Sequence, residues 1–115
     1  MPSPHDMSND GAHSRLNAIA KAFAKDRQVT RETRRGFGSG ALKVNGKIFA
    51  MISSQDAFVV KLPKSRVDEL VQAGLGTRFE PGPGRVMKEW LAMTRESTTP
   101  SWLELAREAR RFVGA

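Results

Sequence analysis

The side chains with the clearest chemistry in this sequence are cations. Residues 14–47 hold nine Lys and Arg against two acids, and Arg31, Arg34, Arg35, Lys43 and Lys47 bracket one aromatic residue, Phe37. Lysines and arginines along a phosphate backbone displace its counterions, and a ring among them gives an unpaired base a surface to stack on. Arg85 follows Gly82-Pro83-Gly84, a turn able to present it beside the strands. The candidate nucleic-acid-binding residues are therefore Arg31, Arg34, Arg35, Phe37, Lys43, Lys47 and Arg85.

Other chemistry is scarce. The chain has no Cys and no Tyr, and its two His, His5 and His13, lie within the first 13 residues. This leaves no thiolate nucleophile, no N/S zinc site and no His-based triad in the remainder. The acids form no spacing suited to a carboxylate dyad; Asp68 and Glu69 are neighbours on one helical stretch and diverge by about 100°. Gly36-Phe37-Gly38-Ser39-Gly40 lacks the Gly-Lys-Ser/Thr ending of a phosphate loop. Gly82-Pro83-Gly84-Arg85 precedes a strand rather than a helix. The expectation is a protein that is not an enzyme, with no catalytic residues, no cofactor and no metal.

At 115 residues and a formal charge of +7, the chain suits one basic domain. No stretch approaches the length of an apolar membrane span, and the first residues lack the basic start and apolar core of a signal peptide, so no membrane partner and a cytoplasmic location are expected. Residues 1–13, rich in Pro, Ser, Asn and Asp, read as a disordered tail, and 14–115 as a single domain.

The elements that must position these groups follow from periodicity. Leu16, Ile19, Ala20, Phe23 and Ala24 form one apolar stripe, predicting a helix over 14–26 with Ser14 as cap. Val29 to Arg35 suits a charged edge strand. Residues 41–62 read as a meander, with Asn45-Gly46 supplying a two-residue hairpin turn and Ser53 to Asp56 a second turn. Pro63 to Ala73 reads as a helix stopped by Gly74, with Ser65 and Asp68 at capping-box spacing. A short strand over 77–79 and a strand over 86–93 follow, then a helix capped by Thr99 with Pro100 first and Gly114 last.

Together these give a two-layer α+β domain, with helices on one face of an antiparallel sheet of four to five strands. Alternation over 47–62 leaves Phe49, Met51 and Val59 on the face opposite the main core. An apolar second face predicts an alternative function: docking of a protein partner or a second copy through Phe49, Met51 and Val59.

Phe37-Gly38-Ser39, then Leu42 to Met51 (Leu-Lys-Val-Asn-Gly-Lys-Ile-Phe-Ala-Met), resembles the hairpin of the TfoX N-terminal-like and MmcQ/YjbR-like small bacterial proteins. Val59-Val60-Lys61-Leu62-Pro63, Phe79-Glu80-Pro81-Gly82, Met87-Lys88-Glu89-Trp90, Ser101-Trp102-Leu103 and Ala106-Arg107-Glu108-Ala109 extend the resemblance over about residues 15–113. It implies the order α-β(3)-α-β(2)-α, no established catalytic residues, and a regulatory role in binding DNA.

Overall fold

The computed structural model describes residues 4–32, 40–94 and 97–115. Three helices and six strands alternate: α1 (Pro4–Ala22), β1 (Val29–Arg31), β2 (Leu42–Val44), β3 (Lys47–Ile52), β4 (Phe58–Lys61), α2 (Lys64–Gln72), β5 (Gly76–Phe79), β6 (Met87–Met93) and α3 (Thr99–Val113). The strands form one antiparallel sheet in the order β1-β2-β3-β4-β6-β5. The α+β class holds. The strand count is six rather than four to five, because both short edge segments, β1 and β5, join the ladder.

The first helix starts at Pro4 rather than Ser14 and ends at Ala22 rather than Asp26. It therefore runs through residues that composition assigns to a tail. Its packed half, with Leu16 and Ile19 buried, supplies the nucleus, and each further turn then propagates at little cost. Pro4 suits the first turn, where its missing N–H has no intrahelical partner to lose. In α2, Pro63 holds the cap position and no side chain caps the helix, so the Ser65–Asp68 spacing is not used. Thr98, not Thr99, caps α3, its Oγ1 accepting from the Ser101 N–H at 3.2 Å. The hairpin turn is as the sequence demands: Asn45 and Gly46 both have positive φ, 52° and 84°.

All three helices cover one face of the sheet. Leu16 and Ile19 of α1 with Phe23 just after it, Val67 and Leu70 of α2, and Trp102, Leu105, Ala106 and Ala109 of α3 meet Leu42, Val44, Ala50, Ile52, Phe58, Val60, Leu91 and Met93. Trp102 organises this layer. Its ring stacks on Phe58 of β4 at 4.4 Å between centroids and 6° between planes, and the Arg15 guanidinium lies 3.6 Å from its centroid. The indole N–H donates to Ser97 Oγ at 2.6 Å, so no polar atom is left stranded.

The second face carries a smaller cluster of Ala41, Met51, Val59 and Phe79, flanked by Ile48, Ala57, Trp90 and Ala92. Phe49 is not part of it. The β2–β3 register shifts between Leu42 and Lys43: Leu42 opposes Ala50 while Lys43 opposes Ile48. Phe49 is the extra residue of this bulge, which re-aims its side chain to the helix side. There it meets Phe23 edge to face, with centroids 5.5 Å apart.

Gly76 tests this packing. A Cβ there would lie 2.5 Å from the Ala92 carbonyl oxygen and 3.0 Å from Leu91 Cδ1, so backbone must move. Gly82, in the β5–β6 connection, has no atom within 4 Å of such a Cβ. Gly76→Ala is expected to lower unfolding stability by about 1–3 kcal/mol, and Gly82→Ala to change it by less than about 0.5 kcal/mol. Urea unfolding of the two variants measures the difference.

Candidate nucleic-acid interface

The residues named from sequence do not form one surface. Arg34, Arg35 and Phe37 lie outside the described residues. Arg31 and Lys43 sit on adjacent strands but face opposite ways, since Thr30 opposes Lys43 and Arg31 opposes Leu42. Arg31 reaches back to the helix layer. Its Nη1 donates to Asn17 Oδ1 at 2.8 Å, and its Nε and Nη2 donate to the Gly40 carbonyl at 3.1 and 2.9 Å. Lys43 is half-buried and paired with Glu32 at 3.1 Å. Both cations serve the sheet edge. Lys47, just past the Asn45-Gly46 turn, and Arg85, in the β5–β6 hairpin, are exposed. Arg85 lies at the other side of the sheet, roughly 14 Å from β2 by strand spacing.

The alternative docking face is not exposed either. Phe49, Met51 and Val59 retain 0%, 5% and 0% of their accessible surface. The bulge sends Phe49 under α1, and Met51 and Val59 close the second cluster, so these three residues present no apolar patch to a partner.

A different cluster of cations is assembled by the fold. The antiparallel registers bring the start of β1, the β2–β3 turn, the end of β4 and the β5–β6 hairpin to one end of the sheet. The last turn of α3 arrives at the same end: a Cβ on Gly114 would lie 2.9 Å from Val44 Cγ2, and Arg110 Nη2 donates to Gln28 Oε1 at 2.6 Å. Here the C-terminal ends of α1 and α3 enclose a recess of about 350 Å³, lined by Phe23, Lys25, Asp26, Arg107, Arg110 and Arg111, with Ala22 completing it. Four cations thus face one acid, and Arg27 and Lys47 extend the basic pole.

Arg107, Arg110 and Arg111 were legible as an i, i+3, i+4 set on α3. Their proximity to Lys25 was not, because 82 residues separate Lys25 from Arg107 in the chain. Three effects hold like charges together here. Helix C-termini favour cations. The Arg107 guanidinium lies 5.9 Å from the Phe23 ring centroid. Asp26 accepts from Arg110 Nε at 2.7 Å and from its Nη2 at 3.3 Å. That hydrogen bond holds the Asp26 carboxyl below its ordinary range, helped by the Gln28 N–H, and raises the Arg110 guanidinium in turn. Lys25, Arg27, Lys47 and Arg111 form no ion pair among the described residues.

A larger cleft of about 430 Å³ lies between α2 and α3 over Leu70, Leu75, Met93 and Leu105. Its cation, Arg66, is held by both carboxylate oxygens of Glu108 at 3.0 and 3.1 Å and by Glu69, so it offers an anion little. Among the described residues no His, Cys, Asp and Glu cluster suits a metal, and no helix is long and apolar enough to cross a membrane. Comparison with protein-family models, with curated proteins and with solved structures finds no match to this chain.

The Asp26–Arg110 pair gives a pH signature. Asp26 ionises below its ordinary value of 3.8 in the folded chain, so the pair stabilises the fold above that value. The contribution is lost as pH falls below 3.8 through the lower folded value. The stability difference between the protein and Asp26→Asn is expected to be present at neutral pH and to shrink as the pH falls below 3.8, measured by denaturant unfolding across the acid range.

Proposed function

We propose that this protein is a non-enzymatic nucleic-acid-binding module of regulatory type, which engages phosphates through the basic pole formed by the ends of α1 and α3. The observation that carries this reading is the recess where Lys25, Arg107, Arg110 and Arg111 converge from distant parts of the chain. A phosphate entering it meets several donors at once, and the fold has already met the cost of gathering them. The resemblance to the TfoX N-terminal-like and MmcQ/YjbR-like proteins supports the same class. On this reading the DNA-binding role falls to positions other than Arg31, whose guanidinium donates to Asn17 and Gly40, and Lys43, which is paired with Glu32.

Counterion release supplies the test. Binding of labelled DNA and RNA is expected to weaken steeply with salt, and the triple reversal Lys25→Glu, Arg107→Glu, Arg111→Glu to reduce the log–log salt slope by about 2–3. Lys43→Gln, which removes a charge already paired with Glu32, is expected to change affinity less than about twofold. Asp26→Asn, which frees Arg110, is expected to strengthen binding. Binding without a salt slope, or no tighter than that of an unrelated basic protein, refutes the proposal.

A further inference from the structure

The helix-free face of the sheet carries a second feature that this reading did not use. Trp90 of β6 sits directly opposite Lys61 of β4, and the Lys61 ammonium lies 5.6 Å from the Trp90 ring centroid. Unlike Trp102, which is buried and stacked, Trp90 is only half-buried at the edge of the Met51–Val59–Phe79 cluster. Lys88 lies two residues earlier on the same strand, within the irregular stretch where the β5–β6 register shifts, and is exposed. The strand then leads back into the β5–β6 hairpin, where Arg85, Val86 and Met87 are all exposed. Val86 retains 49% of its surface and Met87 37%, so an exposed apolar pair lies between the cations Arg85 and Lys88.

We infer that Trp90 is a base-stacking platform, and that the nucleic acid bound by this protein is single-stranded. This rests on the proposed nucleic-acid-binding role and adds its substrate class. In a duplex the base faces are covered by their neighbours, whereas an unpaired strand offers them. The site has what such a strand needs: a ring partly open to solvent, Lys61 beside it for a flanking phosphate, and the exposed Lys88 and Arg85 further along the segment that leads to the hairpin.

Lys61 occupies the neighbourhood of the ring in the free protein, and the magnitudes decide whether it blocks the base. A surface cation–π contact is worth about two- to fivefold in an equilibrium constant. Stacking of a base on an aromatic side chain is worth about five- to a hundredfold. The base displaces the ammonium, and the long lysine side chain swings its charge toward the phosphate that arrives with the base. The basic pole lies at the same end of the sheet, so the strand continues from this face toward Lys47 and the α1–α3 recess.

The experiment uses the whole chain and three probes of equal length, roughly 12 nucleotides: oligothymidylate, the same oligomer with abasic sites throughout, and a duplex. Oligothymidylate is expected to quench the Trp90 component of the fluorescence, while Trp102, buried against Phe58, reports little. It is expected to bind about five- to a hundredfold tighter than the abasic oligomer. Trp90→Leu is expected to abolish that preference and Trp90→Phe to restore most of it; matching circular dichroism spectra establish that both variants fold. Equal, salt-dependent binding of all three probes with no quenching overturns the platform and leaves the basic-pole reading standing. No binding to any probe overturns both. A Trp90 emission shift on anionic phospholipid vesicles but not on oligothymidylate also overturns the platform, since it assigns the exposed ring and Val86–Met87 to a membrane surface.

Discussion

The stack at Trp102 is the contact through which the layers of this protein are joined. Phe58 comes from a central strand, Trp102 from the last helix and Arg15 from the first. Two flat groups hold opposite faces of one indole, and the single polar atom of that indole is satisfied by Ser97. The stacking is worth only about 0.5–1.5 kcal/mol beyond burial. Its larger consequence is geometric. A helix pinned by a planar contact cannot roll, so the side chains one and two turns later along α3 project in fixed directions. Arg107, Arg110 and Arg111 owe their orientation toward α1 to that restraint.

The same fold divides its charges into those that hold the structure and those that remain available. Arg31, Arg66 and Arg78 bridge elements: β1 to α1, α2 to α3, and β5 to α2. Asp68, held between Arg78 and Lys64, ionises more readily than an ordinary carboxyl because of both partners. Arg66 and Arg78 are paired with acids, whereas Arg31 donates to the neutral Asn17 and Gly40 oxygens. Among the described residues, Lys25, Arg107, Arg110 and Arg111 gather at the recess where the ends of α1 and α3 meet. A count of bases along the chain reports how many there are. Which of them meet a partner depends on register and helix rotation.

Much of the architecture was legible because local chemistry enforces it. Asn45-Gly46 admits almost no turn but the one found, and the stripe through Trp102, Leu105 and Ala109 admits only one buried helix face. Strict alternation placed Phe49 beside Met51, but one inserted residue in the β2–β3 ladder turned it to the other face. Composition assigned residues 1–13 to a tail, and the helix begins within them at Pro4. Arg31 and Lys43 were grouped by proximity in sequence, although neighbouring positions on a strand point apart. Strand pairing decided the cases of Phe49, Arg31 and Lys43, and Arg110 finds Asp26 across 84 positions.

The order β4-β6-β5 sets a schedule for biosynthesis. As the chain leaves the ribosome, β1 to β4 are each followed at once by their neighbour, and the hairpins close as they emerge. β4 then waits. Its partner is β6, which cannot arrive until α2 and β5 have been made. During that interval Phe58-Val59-Val60, apolar on both sides, presents an unpaired edge. Such an edge is a template for another chain as readily as for β6. Until β6 docks, Pro63 and the charged helix Lys64–Gln72, which follow that edge immediately in the chain, are placed to shield it from other chains.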